Sequence, residues 1–298
     1  MATSRINLLA LRSRTGIVCA FAVLGAGAYF GTSLLAPTGH AESNGPYTVF
    51  KRGLGFTTLR LKHSEAVNHN TKRLVFEFPD ENARSGLSLT SALLTISRPN
   101  NRWIPIIRPY TPISSLDKPG SIEFLIKHYP NGKASTHMHS LKPGDTLTFA
   151  ATLKGFNWVP NQFSQVHLIA GGAGITPIYQ LLQGILNNPE DKTNVNLVFG
   201  VNTERDLLLK KELEQYKERF PGRFNYSFAV SSLTDEKPSI RKGYVNEELL
   251  RDVVGKSDKD TMVFVCGPPA MEDSLVGSRS TPGVLGRLGF TSSQIYKF

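Results

Sequence analysis

The chain has 298 residues, of which 40% are hydrophobic and 19% are charged, a composition typical of a folded globular enzyme with more than one domain. Its net charge is +10, but Lys and Arg are spread along the chain, which disfavours nucleic-acid binding and favours an acidic protein partner or an anionic cofactor. Cys19 and Cys266 are the only cysteines, which excludes a disulfide framework and a CxxC site, so any redox chemistry must come from a bound cofactor.

Residues 1–46 are predicted to form a mitochondrial targeting segment, a membrane anchor and a tether. Three arginines and no acidic residue precede Glu42, which is typical of mitochondrial targeting. Residues 16–36 carry no charge, and as a helix about 30 Å long they would cross the hydrocarbon layer. A secretory signal peptide is the alternative, although this apolar run is longer than a usual signal core. Residues 37–46 are rich in Gly, Pro and Ser, which predicts a flexible tether.

Residues 47–155 are predicted to form a small antiparallel β-barrel. Short runs of β-prone residues are separated by turn residues, and no long helices lie between them. The predicted strands are Phe56–Lys62, Thr71–Phe78, Ala92–Ser97, Ser121–Tyr129 and Thr146–Ala150.

The first motif of this domain is RPYTPIS, which begins at Arg108. An arginine in an extended segment can bind a pyrophosphate, Tyr110 can cover an isoalloxazine or ribose face, and Thr111 can donate to a flavin ring nitrogen. Taken alone, the motif is more typical of an edge strand stiffened by Pro109.

The second motif is NGKAS, which ends at Ser135 and begins a short helix. Its backbone amides and the Ser135 hydroxyl can hold a phosphate at the helix N-terminus, and Lys127 adds positive charge nearby. The motif by itself is also ordinary hairpin chemistry. His137 and His139 are two residues apart, so they point in different directions on the helix and no metal site is predicted there.

Residues 156–298 alternate between strands and helices, which predicts an α/β domain with a doubly wound parallel sheet. The predicted strands are Gln165–Ala170, Asn194–Gly200, Phe224–Ser231 and Thr261–Val265. The predicted helices are Thr176–Leu186, Lys210–Phe220 and Asn246–Val253. Ligands of such sheets bind beyond the carboxyl ends of the strands.

Three loops after these strands carry candidate nucleotide-binding residues. The sequence GGAGITP begins at Gly171 and lets backbone amides approach a dinucleotide, although it is not the GxGxxG pattern and can be a structural turn alone. Asp206 can accept a hydrogen bond from a ribose 2'-hydroxyl and repel a 2'-phosphate, which favours NADH over NADPH. Cys266, followed by Gly-Pro-Pro, can form an apolar wall beside a nicotinamide or can be a buried packing residue.

Taken in order, the motifs RPYTPIS, GKAS, GGAGITP, ERDLLL, VNEELL and CGPP and the aromatic tail resemble the NADH-cytochrome b5 reductase family of the ferredoxin-reductase superfamily. The resemblance is strongest to its fungal mitochondrial membrane form and covers the chain from Val49 to Phe298. It implies an FAD-binding barrel and an NADH-binding sheet domain. It also implies electron transfer to cytochrome b5 or a similar acidic haem protein.

The resemblance implies roles for individual residues. The expected FAD-binding residues are Arg108, Pro109, Tyr110, Thr111, Lys127, Lys133, Ala134 and Ser135. The residues expected to form the floor shared by flavin and nicotinamide are Gly171, Gly172 and Gly174. Thr176 is expected to close over the flavin, and Ile175 is a further expected cofactor-binding residue. Asp206 is expected to select NADH. The residues expected to border the nicotinamide are Cys266, Gly267, Pro268 and Met271.

Thr111 and Cys266 are the expected catalytic residues. Hydride is expected to pass from nicotinamide C4 to flavin N5, with Thr111 hydrogen-bonding near N5 and Cys266 setting the approach of the nicotinamide. The family generally has threonine at Ala173 and methionine at Ala134, so the contacts at these two positions differ in this chain.

Two other functions fit parts of the same pattern. An NADPH-dependent reductase of ferredoxin or flavodoxin would prefer NADPH, and a nucleotide-binding membrane adaptor would lack tightly bound flavin. We expect a monomeric catalytic body on the mitochondrial outer membrane, with a processed form in the intermembrane space as an alternative.

Overall fold

The computed structural model describes residues 47–50, 53–99, 103–233, 240–255, 257–278 and 280–298. The predicted anchor and tether, residues 1–46, lie outside the described residues. Within the described ranges, no helix has the length and hydropathy needed to span a bilayer.

The first part of the body is a curled antiparallel sheet, which confirms the predicted antiparallel arrangement. It has six strands, because the segment that contains Arg108 forms a strand in addition to the five predicted. Its strands are β1 (Leu54–Asn68), β2 (Thr71–Glu77), β3 (Ala92–Ser97), β4 (Ile106–Tyr110), β5 (Ser121–Lys127) and β6 (Thr146–Leu153). They lie in the order β4-β3-β6-β1-β2-β5, and helix α1 (Lys133–Ser140) contacts both edge strands. Buried rings of Phe76, Phe124 and Phe149 fill the interior, with centroids 5.5 to 6.1 Å apart.

Strand β1 is longer than the sequence predicts, mainly because it continues through residues 63–68, most of which are polar. Its pairing with β2 shifts register between Leu61 and His63 and again between Ala66 and Asn68. Such irregularities bend a strand and increase its twist, which lets one long strand follow a curled sheet. They also interrupt the alternation of polar and apolar residues from which a strand is predicted.

The second part of the body is a six-stranded parallel sheet with helices on both faces, which confirms the doubly wound α/β prediction. Its strands are β7 (Gln165–Gly171), β8 (Asn194–Val201), β9 (Phe224–Val230), β10 (Ile240–Lys242), β11 (Thr261–Cys266) and β12 (Ile295–Lys297). Its helices are α2 (Ile175–Asn187), α3 (Lys210–Arg219), α4 (Glu247–Val254), α5 (Pro269–Val276) and α6 (Val284–Arg287). Helices α2 and α3 pack on one face and helices α4 to α6 on the other.

The order of the parallel strands, β10-β9-β8-β7-β11-β12, reverses direction between β7 and β11. These two strands are hydrogen-bonded, with Cys266 opposite Ala170, so the loops that follow them emerge side by side. A reversal of this kind opens a crevice outside the carboxyl ends of the strands, where ligands bind in open α/β sheets.

Helix α2 packs against the antiparallel sheet as well as against its own. The Gln180 side chain is 1% exposed and donates to the carbonyl oxygens of Ser91 and Pro112 at 3.4 and 3.3 Å. Ile113 and Leu125, from the antiparallel half, belong to the same buried cluster as α2. The two halves therefore share a packed interface, and this interface fixes the β7–β11 crevice opposite the barrel wall.

Candidate active site

A cleft of about 1880 Å³ lies between the antiparallel sheet and the carboxyl ends of the parallel strands. Every expected cofactor-binding residue lines it except Ile175, which is the first residue of α2, is 0% exposed and lies in the core. Residues that lie far apart in the sequence, such as Arg108 and Cys266, therefore face one shared space.

Strand β4 supplies the barrel wall of the cleft. The Thr95 hydroxyl donates to the Arg108 carbonyl oxygen at 3.1 Å, and the Arg108 guanidinium donates to the Ile107 carbonyl oxygen at 2.8 Å. Among the described residues, no carboxylate forms an ion pair with Arg108, so its charge is available to an anionic ligand. Burial raises the pKa of Tyr110, and the nearby Arg108 charge opposes that shift. The Tyr110 hydroxyl consequently stays protonated and can donate a hydrogen bond.

The turn between β5 and α1 forms the next section of this wall. The Ser135 hydroxyl accepts from the Tyr129 backbone N–H at 3.1 Å and donates to the Gly132 carbonyl oxygen at 2.9 Å, which closes the turn. A side chain at Gly132 would approach the Ser135 hydroxyl to 2.5 Å, so this position requires glycine. No side chain caps the N-terminus of α1 and no acidic residue occupies its first turn. The backbone amides there suit a phosphate group.

The glycine loop after β7 forms the floor of the cleft. A Cβ atom at Gly171 would approach the Met271 sulfur to 2.4 Å, and one at Gly174 would approach the Cys266 carbonyl oxygen to 2.2 Å. These glycines let the loops after β7 and β11 touch. Helix α2 begins directly after Gly174 without a side-chain cap or an acidic residue in its first turn. It is thus a second helix N-terminus open to an anion.

Cys266 lies at the end of β11, where the turn that follows is fixed by a carboxylate. The Gly267 backbone N–H donates to Glu272 Oε1 at 3.1 Å. Burial raises the pKa of the Cys266 thiol to about 12, and the Glu272 charge adds to this shift. The thiol is therefore uncharged at neutral pH, which suits a wall beside a ligand and does not suit a nucleophile or an acid–base group.

Asp206 and Lys127, which were expected to contact different cofactors, contact each other. Lys127 Nζ lies 3.1 Å from Asp206 Oδ1, and Asn70 Nδ2 donates to the same oxygen at 3.0 Å. Burial by itself raises the pKa of Asp206, but hydrogen bonds from Asn70, Thr203 and Lys127, together with the Lys127 charge, lower it to about 2. The carboxylate is therefore ionised throughout the physiological range and already paired with a cation.

The sequence analysis did not identify several other residues of the cleft. Tyr129 and Tyr244 line it although 51% and 77% of their surfaces are exposed, and planar rings of this kind can stack on a flavin or an adenine. An available signal was a large aromatic residue beside a turn residue, Pro130 or Gly243. Phe298 also lines the cleft, because its backbone N–H donates to the Val265 carbonyl oxygen at 3.1 Å and so holds the C-terminus against β11.

Comparison with known proteins identifies both halves of the body. Two family models match, the oxidoreductase FAD-binding domain over residues 58–158 and the oxidoreductase NAD-binding domain over residues 168–276. The chain is 41% identical over 301 residues to NADH-cytochrome b5 reductase 2 of Pyricularia oryzae, which covers 96% of this chain and 90% of that one. The chain belongs to the NADH-cytochrome b5 reductase family.

Further similarities agree with this assignment. NADH-cytochrome b5 reductase 2 of Aspergillus clavatus is 44% identical over 252 residues, which covers 82% of this chain and 78% of that one. The solved cytochrome b5 reductase domain of Ulva prolifera nitrate reductase superposes with a TM-score of 0.75 at 23% identity, covering 85% of this chain and 100% of that one. This last similarity shows that the fold is the same.

The cofactors of the family are FAD and NADH, and the residues of the cleft fit both. Each cofactor contains a pyrophosphate and planar rings. The cleft offers one open helix N-terminus from each half, an unpaired arginine among the described residues, and four tyrosines on its walls. These groups match the charge and the flat faces of two dinucleotides.

Proposed function

We propose that this protein is an NADH-dependent flavoenzyme that reduces cytochrome b5 or a similar small acidic haem protein. The observation that carries the proposal is that two open helix N-termini, those of α1 and α2, face one cleft from opposite domains. A bound FAD accepts two electrons from NADH as hydride and releases them one at a time, as a haem iron requires.

The barrel wall is proposed to bind FAD. Arg108 pairs with its pyrophosphate, and the amides of Lys133 and Ala134 at the start of α1 bind the same group. Ser135 supports this site by closing the turn through its bonds to Tyr129 and Gly132. Tyr110 and Pro109 cover the flavin side, and Thr111 donates a hydrogen bond to the ring.

The sheet domain is proposed to bind NADH against the flavin. The amides near Gly172 and Gly174 bind the nucleotide, while Thr176 lies at the first turn of α2, where its hydroxyl donates to the Ala173 carbonyl oxygen at 3.2 Å. The uncharged Cys266 thiol, with Pro268 and Met271, restricts where the nicotinamide can lie. None of these groups is required to transfer a proton, so the residues act by orientation and by excluding water.

The test compares two arginine replacements in the barrel. Arg108→Gln should weaken FAD binding about tenfold to a hundredfold, because it removes a charge-assisted contact to a phosphate. Arg60→Gln is the matched control, since Arg60 is exposed on β1 and pairs with Glu77 outside the cleft. FAD affinity is measured by flavin fluorescence, and turnover is measured with NADH and ferricyanide. A wild-type protein that purifies without flavin and has no NADH turnover would contradict the proposal.

The proposed acceptor and location follow from charge and from relatives. The relatives named above are NADH-cytochrome b5 reductases, and the chain has a net charge of +10. Lys133 and Lys154 at the cleft can steer an acidic haem protein towards the flavin, an effect that salt weakens.

We also propose that residues 47–155 form the FAD-binding domain and residues 156–298 the NADH-binding domain. The arginine-rich start and the uncharged run 16–36 support a mitochondrial, membrane-anchored form, with the outer membrane as the proposed site and a monomeric catalytic body.

A further inference from the structure

The two cofactor-binding domains are joined at the cleft wall by a group of hydrogen bonds centred on Asp206. Lys127, at the end of β5, pairs with Asp206 at 3.1 Å, and their side chains are 17% and 6% exposed. Asn70, in the turn between β1 and β2, donates to the same carboxylate at 3.0 Å. Beside it, Asn68 donates to the Arg205 carbonyl oxygen at 2.9 Å. We call Asn70, Lys127, Thr203 and Asp206 the interdomain latch.

The Asp206 carboxylate has no acceptor position left for a ribose hydroxyl. A carboxylate offers about four lone-pair positions. Oδ1 accepts from Asn70 and Lys127, and Oδ2 accepts from the backbone N–H and the hydroxyl of Thr203 at 3.2 and 2.8 Å. A ribose could bind there only by displacing one of four donors in a nearly buried site, one of which is charged.

We propose that Asp206 is a positioning residue that holds the NADH-binding domain against the FAD-binding barrel, and that it does not select NADH by contacting the ribose. The inference rests on the proposed function, because it concerns how the two cofactors are aligned. The latch connects β5 and the β1–β2 turn on the barrel side to the loop after β8 on the sheet side. It thereby fixes the width of the cleft. This matters because small errors in the alignment of reacting groups lower the reaction rate strongly.

The two roles of Asp206 predict different kinetics. If Asp206 bound the ribose, its loss would raise the KM for NADH, leave kcat unchanged and improve the use of NADPH, because a charge that repels the 2'-phosphate would be gone. If Asp206 holds the domains, its loss lowers kcat with both nucleotides by a similar factor, because alignment is impaired whichever nucleotide is bound.

The first experiment measures kcat and KM for NADH and NADPH with ferricyanide in the flavin-saturated Asp206→Asn variant. We expect kcat to fall about tenfold with each nucleotide, and the ratio of the two kcat/KM values to stay within about twofold of the wild type. Asp252→Asn is the matched control, because Asp252 is an exposed carboxylate of the same domain that pairs with Arg241 outside the cleft. It should leave all four constants unchanged.

The second experiment is a reciprocal exchange across the 3.0 Å contact between Asn70 and Asp206. The variant Asn70→Asp/Asp206→Asn keeps one carboxylate and one carboxamide at this contact but moves the charge to the barrel side. We expect it to recover at least about half of the kcat lost by Asp206→Asn, since Lys127 and the carboxamide still have a partner. A carboxylate needed by the ribose would not be replaced by this exchange.

The outcomes separate the latch from the proposed function. Wild-type protein without flavin or NADH turnover would remove the proposed function itself. With an active wild type, a selective rise in KM for NADH, a gain in NADPH use or a failure of the exchange to recover kcat would overturn the latch. Thermal unfolding of each variant shows whether a loss of kcat reflects a lower population of folded protein, and the exchange variant tests the latch if Asp206→Asn alone fails to fold.

Discussion

Gly174 shows how the absence of one side chain sets the distance between two loops of the cleft. A Cβ atom there would lie 2.2 Å from the Cys266 carbonyl oxygen and 2.9 Å from the Gly267 backbone nitrogen. Both neighbours are backbone atoms at the end of a buried strand, so neither can move without shifting β11. Glycine is required here for close approach, whereas at Gly172 the reason is the backbone itself, with φ at +52°.

We therefore expect Gly174→Ala to push β11 away from β7 and to lower the free energy of unfolding by about 1–3 kcal/mol, the usual cost of overpacking. NADH turnover should fall as well, because Cys266 moves with the strand. Urea unfolding and steady-state kinetics measure the two effects. The control is Gly55→Ala in β1, where the added Cβ meets no atom within 4 Å. Equal effects of the two substitutions would contradict this account.

Strand β7 is one of the two central strands of the parallel sheet, and it is buried on both faces. Its interior residues from Val166 to Gly171 are all buried, as expected for a strand between two layers of helices. One of these residues is His167, which is 3% exposed and packs edge-on against the Phe290 ring with centroids 6.2 Å apart. Its Nδ1 atom is buried without a hydrogen-bond partner among the described residues.

Burial lowers the pKa of His167 from 6.5 to about 4. Between these values the unfolded chain binds a proton that the folded chain does not, so stability is complete above about pH 6.5 and falls as the pH approaches 4. His167→Leu should remove this part of the acid sensitivity, which amounts to about 2 kcal/mol between about pH 7 and pH 5. Urea unfolding at each pH measures it. An unchanged slope in His167→Leu would contradict the assignment.

At the scale of the whole molecule, the described residues from Tyr47 to Phe298 belong to one compact unit that contains both halves of the cleft. The proposed catalytic residues, Thr111 and Cys266, come from the two halves, and hydrogen bonds of the buried Gln180 and of the proposed latch connect these halves. The described residues that line the cleft all lie between His69 and Phe298. The anchor would therefore determine where the enzyme acts, and not whether it acts.

Deletion of residues 1–46 should consequently give a soluble yellow protein whose turnover with NADH and ferricyanide is within about twofold of the full chain. The full chain should remain with mitochondrial membranes after carbonate extraction, whereas the deleted form should appear in the supernatant. A full chain released by carbonate would contradict the anchor, and a deleted form that cannot retain flavin would contradict the independence of the body.

The local patterns of the sequence predicted the types of the two sheets. Together with the family resemblance they also named residues that, apart from Ile175, all line the cleft. Two kinds of pattern identified the strands. A strand buried on one face alternates between polar and apolar residues, as in Thr71–Phe78, and a strand buried on both faces is a mostly apolar run, as in Gln165–Ala170. Glycines and prolines next to strand ends identified the loops. Such predictions succeed because burial and turn geometry, which produce these patterns, act on residues that are neighbours in the sequence.

The tertiary structure alone decided what those residues contact. Nothing near Asp206 in the sequence indicates that Lys127 and Asn70, which are 79 and 136 residues away, occupy its carboxylate. The sequence likewise does not indicate the orientation of Ile175. This residue follows the glycine loop, but its side chain lies in the core and not in the cleft. The packing of two sheets determines these contacts, and the free energy of such packing depends on distant residues that no local pattern records.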